Sequence, residues 1–220
     1  MPLSAADLAL AEAVIETAIA MQHRGINNAM SGNVSVRTAT GMLITPSATA
    51  YDSMTPDDLV AMDSTGEWTV TNDRRPSSEW RFHHDIYAAR PDATAIVHAH
   101  PVNATALACH QRGIEPFHYM VAIAGGRDIR CADYATFGTP ELSANVVDAL
   151  EGRKACLMAN HGLVAVGRSL VKALDVAVEV EVLAAQYVAA LAIGTPTNLT
   201  DAQMDEVLDK MSAGTGYGSS

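Results

Sequence analysis

The chain has 220 residues, a length that suits one domain with a full hydrophobic core. Lys and Arg total 14 against 25 Asp and Glu, and the formal net charge of −11 argues against nucleic acid or an anionic membrane as a partner. No basic segment precedes an apolar core near the N-terminus, so no signal peptide is predicted, and three cysteines without a CxxC pattern favour reduced thiols in a cytoplasmic protein.

Hydrophobic periodicity and turn residues predict short strands that alternate with helices. The predicted helices run from Ser4 to about residue 23 and over residues 76–89, 102–110, 141–150, 169–193 and 201–211. The predicted strands cover residues 34–37, 42–45, 59–62, 68–70, 95–100, 155–159 and 163–166, and residues 134–138 form a loop or short strand. Thr55 caps a short helix that begins at Pro56. We therefore expect an α/β layered domain over residues 1–211 with a mostly antiparallel or mixed sheet, followed by a small-residue tail, residues 212–220.

The most apolar long segment, residues 169–193, contains Lys172, Asp175, Glu179 and Glu181. These charged residues interrupt the apolar run, so the segment is predicted to be an amphipathic helix and not a membrane span.

Two histidines stand one residue apart at the end of an apolar run, in the sequence IVHAHP of residues 96–101. Because side chains alternate along a strand, His98 and His100 are predicted to project from the same side and to share one metal ion. His161 ends a second apolar run, and Glu79 supplies a carboxylate. Three histidines and one carboxylate suit tetrahedral zinc.

The chain has eight histidines, so ordinary structural roles must also be weighed. His83 stands one helical turn after Glu79 and is a rival ligand, although a packing or orienting role fits it better. His118 is predicted to be structural. Surface or hydrogen-bonded core positions are predicted for His23, His84 and His110.

Three small polar segments, residues 31–35, 44–48 and 76–79, can together surround an anion without a lysine. They offer hydroxyls, an amide and free helix N–H groups. Ser77 or Ser78 alone is better explained as a helix N-cap. Because Glu79 follows directly, a phosphate held by the two serines would lie beside the metal carboxylate.

These motifs resemble the class II aldolase/adducin family, and within it the aldolases that act on L-fuculose 1-phosphate. The resemblance spans nearly the whole chain and is carried by residues 32–37, 41–46, 76–83, 97–100, 118–120, 134–139 and 161–163. It implies a three-layer α/β/α fold around a mostly antiparallel sheet. The metal residues it implies are Glu79, His98, His100 and His161, and the phosphate-binding residues are Asn33, Ser47, Ala48, Ser77 and Ser78.

The resemblance also implies a reaction and an assembly. The expected reaction is the reversible, zinc-dependent cleavage of a ketose 1-phosphate, with L-fuculose 1-phosphate as the preferred substrate, to dihydroxyacetone phosphate and a lactaldehyde-type aldehyde. Glu79 would transfer the proton beside the enediolate, and Tyr119 of a neighbouring subunit would exchange a proton with the aldehyde oxygen. The expected assembly is a C4 homotetramer with active sites between subunits. None of the three lysines stands in a setting that suggests a Schiff base, which favours the metal.

Three alternatives remain open at this point: an aldolase for a 5-deoxy-pentulose 1-phosphate, a pentulose-5-phosphate 4-epimerase, and a non-catalytic adducin-like module. Glu79 argues against the epimerases, which tend to have aspartate after the two serines, and the intact metal set argues against the adducin heads. Two positions depart from the family pattern. Ala48 replaces a glycine and would be strained at a positive φ, and Tyr217 is offset from the tyrosine that in relatives reaches over a neighbour's site.

Overall fold

The computed structural model describes residues 5–68 and 73–213, which contain seven strands and six α-helices. The strands are β1 Asn33–Arg37, β2 Gly41–Ile44, β3 Val60–Asp63, β4 Ala95–Ala99, β5 Cys131–Ala132, β6 Ala155–Met158 and β7 Gly162–Gly167. The helices are α1 Ala5–His23, α2 Trp80–Ala89, α3 Val102–Cys109, α4 Pro140–Ala149, α5 Leu170–Ile193 and α6 Asp201–Ser212. Short 3-10 helices cover Tyr51–Ser53, Pro56–Asp58 and Tyr119–Ala124.

The seven strands form one sheet in the order β3-β2-β1-β4-β7-β6-β5. Every neighbouring pair is antiparallel except β5 and β6, which are parallel. The predicted mostly antiparallel sheet is therefore confirmed. Strand β4 lies at the centre, where β1 pairs with one edge and β7 with the other.

Helices cover both faces of this sheet, which confirms the three-layer α/β/α fold. One hydrophobic core lies between the sheet and α1, α3, α5 and α6, and it takes Val97 from β4. The other core lies between the sheet and α2 and α4, and it takes Ile96. Because side chains alternate along β4, His98 shares the face of Ile96 and meets Phe82 of α2 edge-on at 5.3 Å between ring centroids.

Within the described part of the chain, α5 is the one helix long and apolar enough to cross a membrane. Its buried residues pack against the central strands, and α5 makes close contacts with β4, β7 and α3. It is the amphipathic helix that the sequence predicts, with its apolar face in the core.

Several predicted boundaries were wrong. Helix α2 begins at Trp80 and not at residue 76, because Pro76 forms an isolated bridge with Pro46 and the N–H of Ser77 donates to the carbonyl of Thr45. Strand β4 ends at Ala99, so residue 100 lies just beyond the strand. Residues 134–138 form a loop, and β5 was not predicted. The predictions for residue 4, residues 69–70 and tail residues 214–220, which include Tyr217, concern positions outside the described residues.

Candidate metal centre and active-site cleft

One group of side chains brings together the four residues predicted as metal ligands. One ligand atom each from Glu79, His98, His100 and His161 lies within 4.8 Å of the other three. The two carboxylate oxygens of Glu79 divide their contacts: Oε2 lies 3.1 Å from Nε2 of His98, and Oε1 lies 2.8 Å from Nε2 of His161. The Nε2 atoms of His98 and His100 are 2.9 Å apart. We call these four residues the Glu/His cluster.

The ring of His98 is held by its other nitrogen. Nδ1 of His98 lies 2.8 Å from the backbone carbonyl oxygen of Leu163 on the neighbouring strand, and since that oxygen only accepts, Nδ1 is the protonated nitrogen. In the neutral form of the ring, Nε2 is then the bare nitrogen and faces the cluster, which is the arrangement that a metal-binding imidazole requires.

Close packing of the backbone around Gly162 brings His161 next to His98 and His100. His161 stands in the turn between β6 and β7, and Gly162 opens β7 beside Ala99. A Cβ on Gly162 would lie 2.5 Å from the carbonyl oxygen of Ala99 and 2.6 Å from the ring of His100. Only glycine fits here, so the His-Gly sequence is a requirement of the site's packing.

Glu79 lies at the N-cap position of α2 and is 6% exposed. Burial by itself would raise the pKa of Glu79, but the neighbouring His98 and His161 outweigh it and hold that pKa well below its ordinary value. The carboxylate is therefore charged at neutral pH. A third contact comes from Asn33, whose Nδ2 donates to Oε2 at 2.9 Å.

The three segments predicted to bind phosphate converge at one end of the paired strands β1 and β2. The N–H of Thr45 donates to Val34 of β1, and the N–H of Ser77 donates to Thr45, so the start of β1, the end of β2 and the turn before α2 lie side by side. Ser77 is buried, Ser47 and Ser78 are exposed, and the backbone N–H of Glu79 donates to Oγ of Ser77 at 3.3 Å.

Ala48 has a positive φ, the conformation in which an alanine at this position is expected to be strained. Its φ is +52°, in the left-handed region that favours glycine. Ala48 is exposed, so burial of its methyl group offsets little of this strain.

His83 is buried outside the cluster, because both of its ring nitrogens already have partners. Nδ1 lies 2.7 Å from Oγ of Ser35, and Nε2 lies 2.5 Å from Oδ1 of Asn33. His118 accepts a hydrogen bond from the N–H of Met120 and so caps the following 3-10 helix.

A cleft of about 360 Å³ opens beside the Glu/His cluster. Glu79 and two of the cluster's histidines line it, together with Ser78 and the exposed aromatic residues Tyr134 and Phe137. Neither aromatic residue was predicted as a site residue, although the exposed loop YATFG was part of the resemblance. Tyr119 is 50% exposed and does not line this cleft.

The donor set of the cluster fits a zinc ion. Three imidazole nitrogens and one carboxylate are ligands that zinc accepts, and a fixed tautomer at His98 removes the proton that would block one of them. Among the described residues, no other group of His, Cys, Asp or Glu side chains comes together in this way.

Comparisons with known proteins agree with this chemistry. Residues 12–188 match the family described as Class II Aldolase and Adducin N-terminal domain. A 5-methylthioribulose-1-phosphate/5-deoxyribulose-1-phosphate aldolase from Rhodospirillum rubrum is 52% identical over 203 residues, which cover 92% of this chain and 91% of that protein. An L-fuculose phosphate aldolase from Escherichia coli is 48% identical over 202 residues, which cover 91% and 93%.

Solved structures give the same result. A structure of an L-fuculose 1-phosphate aldolase matches with a TM-score of 0.90 and 37% identity, and the match covers 96% of this chain and 98% of that one. The family resemblance is confirmed by sequence and by fold. The chain belongs to the class II aldolase/adducin family and is itself a class II aldolase, a metal-dependent lyase.

Proposed function

We propose that the protein is a zinc-dependent aldolase that cleaves a deoxy-ketose 1-phosphate, such as L-fuculose 1-phosphate, to dihydroxyacetone phosphate and a short aldehyde. The observation that carries the proposal is the Glu/His cluster, which lies beside an open cleft and next to the serines of the turn before α2. The serines that would bind the phosphate, the cluster that would hold the metal, and Glu79, which would transfer the proton, then all lie within the length of one small sugar.

The cluster residues supply binding and proton transfer. Cleavage of the C3–C4 bond leaves an enediolate, whose charge a zinc ion bound by the three histidines would stabilise as a Lewis acid. In synthesis, the Glu79 carboxylate takes a proton from C3 of dihydroxyacetone phosphate and the Tyr119 phenol gives its proton to the aldehyde oxygen. Cleavage runs the same steps in reverse: the Tyr119 phenolate takes the proton of the C4 hydroxyl, and protonated Glu79 returns its proton to C3. Asn33, Ser47, Ser77 and Ser78, with the backbone N–H of Ala48, hold the phosphate.

The far end of the sugar is proposed to be apolar. Tyr134 and Phe137 present aromatic surface to the cleft, at 57% and 62% exposure. The substrates named for the two relatives, L-fuculose phosphate and 5-methylthioribulose or 5-deoxyribulose 1-phosphate, share a terminal carbon without a hydroxyl group. A methyl or methylthio group would bury apolar area against these rings, which favours binding. A hydroxyl group would lose its hydrogen bonds to water there, which disfavours binding.

A substrate panel tests this proposal. The zinc-loaded enzyme is assayed with L-fuculose 1-phosphate, 5-deoxyribulose 1-phosphate, 5-methylthioribulose 1-phosphate and, as the hydroxylated control, ribulose 1-phosphate, with dihydroxyacetone phosphate detected enzymatically. The highest kcat/KM is expected for one of the three deoxy substrates. Equal or better cleavage of ribulose 1-phosphate would contradict the apolar end, and no cleavage of any substrate would contradict the activity.

We also propose a C4 homotetramer, located in the cytoplasm, in which Tyr119 completes the site of a neighbouring subunit. The exposure of Tyr119 and its position outside its own chain's cleft support this arrangement. Co-expression of Tyr119→Phe and Glu79→Gln chains tests it, because a site with intact Glu79 from one chain and intact Tyr119 from another should recover part of the lost activity. If Tyr119 served its own chain's cleft, every mixed site would remain defective.

A further inference from the structure

A buried chain of hydrogen bonds runs behind Glu79. The hydroxyl of Tyr87 lies 2.9 Å from Oγ of Ser35, and that Oγ lies 2.7 Å from Nδ1 of His83. Nε2 of His83 lies 2.5 Å from Oδ1 of Asn33, and Nδ2 of Asn33 lies 2.9 Å from Glu79. Ser35 and His83 are fully buried, and the remaining three residues are at most 6% exposed.

The direction of every hydrogen bond in this chain follows from its last member. An ionised carboxylate only accepts, so the NH2 group of Asn33 faces Glu79 and the carbonyl oxygen of its amide faces His83. That oxygen needs a donor, so the proton of the His83 ring is on Nε2. Nδ1 therefore accepts from the hydroxyl of Ser35.

The same logic completes the chain at its far end. Ser35 donates its hydroxyl hydrogen to His83, so its oxygen is free to accept from the hydroxyl of Tyr87. All the hydrogen bonds then point toward Glu79. Burial, with a smaller effect from the neighbouring His98, lowers the pKa of His83 to about 3, which agrees with a neutral ring.

We propose that His83 is a positioning residue for Glu79: as the neutral Nε2–H tautomer it fixes the orientation of the Asn33 amide, which in turn holds the Glu79 carboxylate. An amide is nearly the same shape after a flip, so shape alone does not set its orientation. A flipped Asn33 would place its carbonyl oxygen against the charged carboxylate. His83 prevents this because Oδ1 is the Asn33 atom that can accept its proton.

The chain does not serve as a proton relay. A relay through Asn33 would require the amide to accept and pass on a proton, which its carbonyl and NH2 groups do not do at neutral pH. The effect of His83 on catalysis is therefore geometric. This inference rests on the proposed function in one respect, the assignment of proton transfer to Glu79.

Two substitutions separate positioning from simple packing. In His83→Gln, the longer side chain brings an amide NH2 to the place of ring Nε2 and keeps the donor to Asn33. In His83→Asn, the shorter side chain reaches only the place of Nδ1 and loses that donor. His84→Gln is the matched control, because His84 is the next residue on α2 and contacts Asp85 and the carbonyl of Ser64 instead.

The main readout is exchange of the C3 proton of dihydroxyacetone phosphate with deuterated water, followed by NMR, together with zinc content and thermal melting. His83→Asn is expected to keep its zinc, but its exchange rate should fall about 10–100-fold. His83→Gln and His84→Gln should keep most of the wild-type exchange rate. Equal exchange in His83→Asn and wild type would overturn the proposal. If His83→Asn does not fold, Ser35→Ala takes its place with a smaller expected loss, and an unchanged rate there counts equally against the proposal.

The second readout needs no substrate. NMR of protein with 15N-labelled histidine, assigned by comparison with His83→Gln, is expected to show His83 with a protonated Nε2 and a bare Nδ1. The opposite tautomer or an imidazolium would overturn the inference. A zinc-loaded wild type that shows the expected tautomer but neither exchange nor cleavage would instead refute the proposed function alone.

Discussion

Glu79 and His161 lie 2.8 Å apart, carboxylate Oε1 to imidazole Nε2, although they come from opposite halves of the chain. The contact joins the N-cap residue of α2 to the turn between β6 and β7. Because Glu79 also contacts His98 and Asn33, one carboxylate links α2 to β4, to β1 and to the turn between β6 and β7.

His98→Ala is expected to abolish zinc binding and aldol cleavage. It removes the imidazole whose tautomer is fixed by Leu163, and two histidines with one carboxylate leave the ion a weaker site. Zinc content by elemental analysis and circular dichroism check the prediction together, since unfolding alone would also release the metal. His110→Ala, on the exposed end of α3, serves as the control. Full zinc occupancy in folded His98→Ala would remove His98 from the ligand set.

Glu79→Gln is expected to keep most of its zinc but lose most of kcat. The amide retains size and one weak oxygen ligand, but it cannot take the C3 proton, a function that contributes about 10²–10⁴-fold. Both cleavage and C3 proton exchange of dihydroxyacetone phosphate should fall together. Wild-type exchange in a zinc-loaded Glu79→Gln enzyme would leave Glu79 as a ligand only.

The fold and the grouping of the cluster residues could be predicted from the sequence wherever a pattern of neighbouring residues indicated the local structure. Period-two alternation placed His98 on one face of β4, and turn residues marked the neighbouring elements. The start of α2 was missed because Pro76 is held by a bridge to Pro46, a pairing distant in sequence. Strand β5 has two residues, too few for any periodicity.

The positions of some side chains also lay beyond sequence reasoning. Nothing in the pattern around His83 shows that Ser35 of β1 approaches its ring, because that contact depends on how α2 packs on the sheet. An orienting role for His83 was anticipated, but its partners were not. Phe137 and Tyr134 reach the cleft through the path of a loop, for which the sequence offers no periodic signal.

Ser77→Ala is expected to raise KM for a ketose 1-phosphate by roughly tenfold to a hundredfold, since a lost hydrogen bond to a charged group costs about 1.5–3 kcal/mol. Oγ of Ser77 accepts from the N–H of Glu79, which leaves its hydroxyl hydrogen to donate to phosphate. The non-phosphorylated ketose should show a smaller loss. Equal losses on the two substrates would place Ser77 outside the phosphate pocket.

Asp58→Asn is expected to lower the free energy of unfolding at pH 7 by about 1 kcal/mol. The Asp58 carboxylate accepts from the N–H and the hydroxyl of Thr55, each at 2.9 Å, and from Arg74 at 2.8 Å. Burial alone would raise the pKa of Asp58, but these hydrogen bonds and the charge of Arg74 lower it below the ordinary value of 3.8.

The sign of the pH dependence follows from that lowered pKa. The unfolded chain binds the proton more readily, so the contribution of Asp58 is complete above pH 3.8 and is lost as the pH falls through the lower pKa of the folded state. The free energies of unfolding of wild type and Asp58→Asn, measured by urea titration, should therefore differ at neutral pH and become equal in acid. Asp52→Asn, an exposed change of the same charge, should show little difference at either pH. If the difference in unfolding free energy between wild type and Asp58→Asn stayed constant down to low pH, the destabilisation would come from packing and not from the charge of Asp58.

Ala48→Gly is expected to stabilise the protein. Ala48 has a φ of +52°, and a left-handed conformation costs a residue with a Cβ roughly 1–2 kcal/mol. Glycine avoids that strain but loses more backbone entropy on folding, about 0.5–1 kcal/mol, so the net gain should be about 0.5–1 kcal/mol. For a chain of this size such a gain corresponds to a rise in Tm of about 1–4 °C.

Ala50→Gly is the matched control for that substitution. Ala50 lies two residues further along the same loop, but its φ is −67°, a conformation in which alanine is unstrained. The same change there should lower the Tm, because only the entropy penalty of glycine remains. The backbone N–H of residue 48 is present in both alanine and glycine, so KM for the phosphorylated substrate should stay the same in Ala48→Gly. A falling Tm at position 48, parallel to the fall at position 50, would show that the loop of the folded enzyme does not hold Ala48 in the left-handed conformation.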